Sequence, residues 1–260
     1  MNNFETLIAN LDLSLFERIS SQSTEMDKAS LLACQSAVRD RLDTYNYLEI
    51  GSYLGGSIQP HLLDPKCKRI YSIDKRPVVQ PDARGYDWQY RNNSTERMMS
   101  MLSEVATDTR KIKTLDGDTR NLDPKLIDQS VQLCFIDGEH TDESVGADFR
   151  FCLTGIDTDA AIVFHDSHII YNGIATALEY LEKKGIKFRA YVLPHTVFVV
   201  EIGEFPLHRH RAVEKMLLEN RHSYLFALQD NDHFRRFANR FPFGLLRKVM
   251  LKVRGGNVSE

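Results

Sequence analysis

Apolar residues recur at three- and four-residue spacing in FETLIANLDLSLFERI, near the start of the chain, and again over 26–42. That spacing puts them on one helical face, so the first forty-odd residues are predicted to be helical. The pattern then changes to short continuous apolar runs: NYLEI (46–50), RIYSI (69–73), KIKTL (111–115), VQLCFI (131–136) and AAIVF (160–164). Helical or turn-rich stretches separate them, and strands that alternate with helices pair in parallel through crossovers. A further helix is expected over 174–184, closed by Gly185, before KFRAYVL and TVFVVEI. Only Pro194 and His195 lie between these two runs, too few for a crossover, so they form an antiparallel hairpin. The fold class is α/β: five parallel strands finished by a hairpin, with helices on both faces. Residues 77–85, with two prolines and a glycine, read as a surface loop.

Composition adds one asymmetry. The 260 residues carry a formal net charge of −3, yet 207–260 holds 11 Lys and Arg against 5 Asp and Glu. The start has acids and no long apolar core, so no signal peptide is expected, and no run approaches the roughly 18 apolar residues of a spanning helix. Cys34, Cys67, Cys134 and Cys152 form no CxxC pair, which suits buried, reduced thiols in a cytoplasm.

In an open α/β sheet, ligands sit outside the carboxyl ends of the strands. The first strand ends at Glu49 and enters GSYLGGS, whose Gly51, Gly55 and Gly56 permit close backbone approach to a ligand. The second ends at Asp74, where an acid can accept both hydroxyls of a ribose. The third brings Asp116 and Asp118 to the rim, the fourth Asp137, Glu139, His140 and Asp142, and the fifth His165, Asp166, Ser167 and His168. Any one of these acids could be a helix N-cap instead; five consecutive rims are harder to explain so. The glycine turn has neither dinucleotide nor phosphate-loop spacing, which points to a nucleoside without a pyrophosphate.

EIGSYLGGS (Glu49 to Ser57) resembles the E-x-G-x-x-x-G-x-S turn of class I S-adenosylmethionine-dependent methyltransferases, particularly the catechol-type O-methyltransferases. FIDGEH, ADFRFCL and IVFHDS are similar to the FIDGDH…HD pattern of enzymes that methylate sugars and antibiotics, the macrocin-type or family-24-like methyltransferases. The resemblance covers about residues 30–202 and implies a Rossmann-like seven-stranded methyltransferase sheet. It places the turn residues Glu49, Gly51, Ser52, Tyr53, Gly55 and Ser57 at the methionine part of the cofactor, Asp74 on the ribose, and Asp118 with Thr119 beside the adenine. Asp137 matches the first metal-ligand carboxylate, bordering the sulfonium as well, and Asp166 the second.

The sequence departs from the family at the next position. Ser167 stands where the catechol enzymes have Asn, and His165 where the antibiotic enzymes have an acid. A His in the shell suits Mn²⁺, Zn²⁺ or Fe²⁺ better than Mg²⁺, which prefers oxygen. His140 stands where the catechol enzymes have their lysine base; its imidazole is suited to taking the acceptor's proton near neutral pH, with a structural hydrogen bond as the alternative. His168 and His195 read as rim or loop residues, and Trp88, Met98, Met99 and Met101 as core or helix-face residues.

From Arg235 the chain reads RRFANRFPFGLLRKVMLKVRGG, basic and amphipathic. Over 235–254 it could lie on an anionic membrane surface, or pack as a helix on the domain or on a second copy of the chain. No stacking platform accompanies the charges, so nucleic acid is not expected. The expected organisation is a helical lid over 1–43, a cofactor domain over 44–203 and a helical extension over 204–260. The expected location is the cytoplasm or the inner face of the membrane, and the expected activity is methyl transfer to a hydroxyl of a sugar, glycan or glycosylated natural product, assisted by Mg²⁺ or Mn²⁺. A metal-dependent hydroxylase with His165 and Asp166 on iron, or a nucleoside-binding protein that transfers nothing, are the alternatives.

Overall fold

A computed structural model describes residues 3–85, 87–233, 241–246 and 249–250. Two helices lead, α1 (Asn3–Ala9) and α2 (Glu25–Arg41), followed by β1 (Tyr45–Ile50), α3 (Gln59–Leu63) and β2 (Cys67–Asp74). A short excursion, β3 (Val79–Pro81) and β4 (Asp87–Gln89), precedes α4 (Thr95–Val105), β5 (Ile112–Asp116), β6 (Val131–Ile136), α5 (Asp142–Gly155) and β7 (Ile156–Phe164). The chain closes with α6 (Tyr171–Lys184), β8 (Phe188–Val192), β9 (Phe198–Ile202), α7 (Arg211–Leu218) and α8 (Arg221–His233).

Seven strands form one sheet in the order β5-β2-β1-β6-β7-β9-β8. The first five pair in parallel, whereas β9 runs antiparallel to both β7 and β8. The predicted architecture is therefore the observed one. Its central strands read as unbroken apolar runs because both faces are covered. On one face Val38 of α2, Met98 and Leu102 of α4 and Val213 of α7 pack on Tyr47, Ile70, Phe135 and Val163. On the other, Phe149 and Cys152 of α5 and Ile174 and Leu181 of α6 pack on Leu48, Ile73, Ile136 and Phe164. Each such buried side chain contributes about 1.5–3 kcal/mol. Phe4, Ile8, Leu15, Phe16 and Leu32 make a third, smaller cluster that ties α1 to α2.

Two readings are corrected here. Residues 77–85 are more than a loop, since β3 pairs with β4 to raise a two-stranded ribbon above the sheet. Trp88, on that ribbon, is 42% exposed instead of buried; Met98 is in the core, as expected. The four cysteines are buried and unpaired. The basic segment 235–254 lies outside the described residues apart from 241–246 and 249–250, where Leu245, Leu246, Val249 and Met250 are exposed. Among the described residues no helix is long and apolar enough to cross a membrane.

Candidate active site

The site grows out of the sheet's hydrogen-bond ladder. Gly51 donates its N–H to Ile73, Gly117 to Asp74, Asp137 to Ile50 and His165 to Ile136, each bond one step past a strand end. The residues that follow β1, β2, β5, β6 and β7 are thereby set side by side along one edge. Only glycine fits at position 51: its φ is +91°, and a Cβ there would meet the Asp137 carbonyl oxygen at 2.1 Å. Tyr53, Asp166 and His195 also hold positive φ, at 44°, 50° and 68°, so backbone strain gathers at this rim.

A cavity of about 530 Å³ opens here. Of the turn residues, Gly51, Ser52, Tyr53 and Ser57 line it, with Asp74 beneath. Asp74 is held by the N–H groups of Tyr53 (2.8 Å) and Arg76 (2.7 Å). Glu49 does not line the cavity. It is fully buried, accepting from Tyr47 Oη and Ser57 Oγ at 2.6 Å each, and burial pushes its carboxyl up to about 7. Gly55 lies against Leu102, away from the lining.

Asp118 and Thr119 are likewise outside the main cavity. Asp118 binds Lys75 at 3.0 Å and Arg120 at 2.6 Å. Thr119 Oγ1 donates to Asp148 Oδ1 at 2.6 Å, at the edge of a small recess behind the turn.

Across the cavity stands a cluster of carboxylates and imidazoles. Asp137, His140 and Asp166 each offer an atom within 4.8 Å of the others, close enough together to hold a metal ion. His140 Nε2 lies 3.2 Å from Asp166 Oδ2 and 3.8 Å from Asp137 Oδ1. Burial disfavours its charged form, but the hydrogen bond to Asp137 and the charge of Asp166 win and raise its pKa. His165 meets the same two carboxylates from the buried side, with Nδ1 3.0 Å from Asp137 and 3.2 Å from Asp166. Its Nε2 faces Asp27 of α2 at 3.4 Å.

Asp27 was not singled out from the sequence. It is 1% exposed, and accepts from Thr24 Oγ1, from the N–H and Oγ1 of Thr196, and from His195 Nδ1, at 2.7–3.0 Å. Burial opposes its ionisation; the hydrogen bonds from His165 and His195 overcome that and hold its pKa well below the ordinary carboxylate range. The local sign is the capping box at the start of α2, in which Thr24 and Asp27 bind each other's backbone.

The outer wall was also invisible to local pattern. Phe226 and Asp230 of α8, Trp88 and Arg84 of the ribbon, and Gln22 of the segment before α2 all line the cavity. Asp230 bridges Arg84 (2.6 Å) and His168 Nε2 (3.3 Å), and the Phe226 ring lies 4.1 Å from that of His195. His168 and His195, expected as rim or loop residues, are cavity residues.

Residues 48–167 match the family model described as a methyltransferase domain. That match takes in the glycine turn and the strand-end carboxylates Asp74, Asp137 and Asp166, so the chain carries a methyltransferase domain over these residues. The chain is also similar in fold to the O-methyltransferase TomG of Streptomyces achromogenes, involved in tomaymycin synthesis and solved with S-adenosylmethionine. Identity is 15%, covering 78% of this chain and 90% of that one, with a TM-score of 0.51. An O-methyltransferase from Bacillus cereus in complex with S-adenosylhomocysteine aligns at 14% identity over 77% and 90% of the two chains, with a TM-score of 0.49. The calicheamicin methyltransferase CalS11 aligns at 16% over 77% and 93%, also at 0.49. No curated protein matches the sequence.

Proposed function

We propose that this methyltransferase takes its methyl group from S-adenosylmethionine and passes it to a hydroxyl of a sugar, a glycan or a glycosylated small molecule. The observation that carries the reading is one cavity shared by the glycine turn and the carboxylate–imidazole cluster. A cofactor whose methionine end lies on Gly51 and Ser52, with Asp74 on its ribose, sets its sulfonium beside Asp137. An acceptor hydroxyl held at the cluster then attacks in line: the O–C bond forms, the S–C bond breaks, the sulfonium becomes a thioether, and the hydroxyl proton goes to a base.

His140 is that base in this reading, the more accessible of the two imidazoles beside Asp137 and Asp166. His165, with Nδ1 between Asp137 and Asp166, keeps the carboxylates in place. The two carboxylates and an imidazole fit a divalent ion of the Mn²⁺ kind better than Mg²⁺. Asp137 and Asp166 would hold it, with His165 or His140 as the nitrogen ligand. Such an ion lowers the pKa of an acceptor hydroxyl and orients it. The acceptor wall supports a polar ring-shaped substrate, since Trp88, Tyr90 and Phe226 offer flat faces among the amides of Gln22, Gln80 and Asn93.

The test is thermal unfolding with S-adenosylmethionine or S-adenosylhomocysteine, each with Mn²⁺ or EDTA. At 100 times its Kd a nucleoside adds about 2.7 kcal/mol of stability, which raises Tm by about 5–10 °C for a chain of this size. A further rise with Mn²⁺ supports the metal cluster. Unchanged melting with both nucleosides refutes the cofactor.

A further inference from the structure

Asp27 begins α2 as the acid of a capping box, a role that asks only for an oxygen on the Thr24 N–H. Acids in that role need no burial, yet this one is 1% exposed. Its oxygens also take Thr24 Oγ1, His195 Nδ1 and both donors of Thr196. Taking a carboxylate out of water is costly, and capping does not account for it. The neighbour that capping leaves unexplained is His165, whose side chain is 7% exposed. Its Nδ1 lies 3.0 Å from Asp137 and 3.2 Å from Asp166, and its buried Nε2 has the Asp27 carboxylate facing it at 3.4 Å. A carboxylate only accepts, so a proton belongs on Nε2.

We propose that Asp27 is a positioning residue: it keeps the His165 proton on Nε2 and so turns a bare Nδ1 toward Asp137 and Asp166 as the nitrogen ligand of the divalent ion. The assignment rests on the metal reading above and decides between the two imidazoles named there. A ring nitrogen ligates only without its proton, and which nitrogen is bare is set by what the other one faces. His165 has that outer carboxylate, supplied by a helix that precedes the sheet. His140 meets the same two acids with Nε2, and its Nδ1 makes no hydrogen bond among the described residues. His140 is also the more exposed side chain, at 13%, which turns it toward the acceptor rather than the ion.

Nitrogen NMR of the full wild-type chain, loaded with Zn²⁺ and isotope-labelled in histidine, tests the tautomer without a substitution. The spectrum should show one ligating imidazole, bound through Nδ1 and protonated on Nε2. Ligation through Nε2, the nitrogen that His140 presents, overturns the assignment. Mn²⁺ alone, followed by the loss of its solution EPR signal, then measures what Asp27 contributes. Asp27→Asn keeps the shape and removes the charge that holds the proton, so Mn²⁺ should bind about 10- to 100-fold more weakly. S-adenosylhomocysteine affinity, the control for folding, should not change. A Mn²⁺ Kd within about threefold of wild type, in a variant that still binds the nucleoside, overturns the role of Asp27. If the variant does not fold, the wild-type nitrogen spectrum decides alone. Failure of the wild type to bind either ion removes the metal reading and this inference with it, and leaves the nucleoside site standing.

Discussion

Glu49 sits under the glycine turn, out of contact with solvent and with no cation beside it among the described residues, so its charge should show in the pH dependence of stability. Its carboxyl is raised from an ordinary 4.5 to about 7, by burial first, against the opposing pull of Ser57 and Tyr47. A carboxyl raised in the folded state binds more protons there than in the unfolded chain. Its stabilising contribution is therefore complete below pH 4.5 and is lost as pH rises through about 7. A shift of that size corresponds to about 3 kcal/mol, most of it falling between pH 5 and pH 8. Glu49→Gln keeps the shape and both hydrogen bonds, because Tyr47 Oη and Ser57 Oγ can each donate or accept. It carries no charge to lose. The measurement is the urea midpoint and slope of each protein at pH 5 and pH 8. The wild type should lose about 2–3 kcal/mol more than the variant across that interval. Asp148, also near 7, titrates in both proteins and cancels in the comparison. Parallel losses in the two proteins would show that Glu49 is not the buried acid described, and the reasoning would fail.

Three further outcomes are expected. Gly51→Ala should abolish nucleoside binding and lower Tm sharply, since its Cβ would overlap the Asp137 carbonyl at a φ of +91°; a melting temperature within 2 °C or so of wild type contradicts that packing. Asp27→Ala should cost about 3 kcal/mol in chemical denaturation, because Thr24, Thr196, His195 and His165 lose their common acceptor, and a loss below about 1 kcal/mol refutes the accounting. His140→Gln should remove the acid limb of the kcat profile. In the wild type that limb lies above pH 6.5, because a base with a raised pKa is neutral only above it. If His140 is instead the nitrogen ligand, Mn²⁺ affinity measured by titration falls along with kcat.

The sheet was legible because its strands are covered on both faces and leave unbroken apolar runs. Where one end of a strand is wet the signal thinned: β7 starts at Ile156, four residues before the expected AAIVF, over the partly exposed IDTD. The β3–β4 ribbon escaped notice because VQP and DWQ are short, mostly exposed and carry no alternation. The inner half of the candidate site was visible for a topological reason: its residues end a strand or follow one. The outer half obeys no such rule. Asp27 lies on a helix that precedes the sheet, Phe226 and Asp230 on one that follows it, and only the folded chain brings them within reach of His165, His168 and His195. The resemblance places Asp118 beside the adenine; in the fold its two oxygens are held by Lys75 and Arg120, partners that no local pattern announces.

The wall made by Phe226, Asp230 and Gln22 comes from outside the stretch that matches the methyltransferase domain. In the reading proposed above, the acceptor therefore meets a wall assembled from three lengths of chain, and the flank that supplies Asp27 also steadies His165 beside Asp137 and Asp166. A change of acceptor made by exchanging the flanks would have to keep Asp27, or the cluster would lose its support.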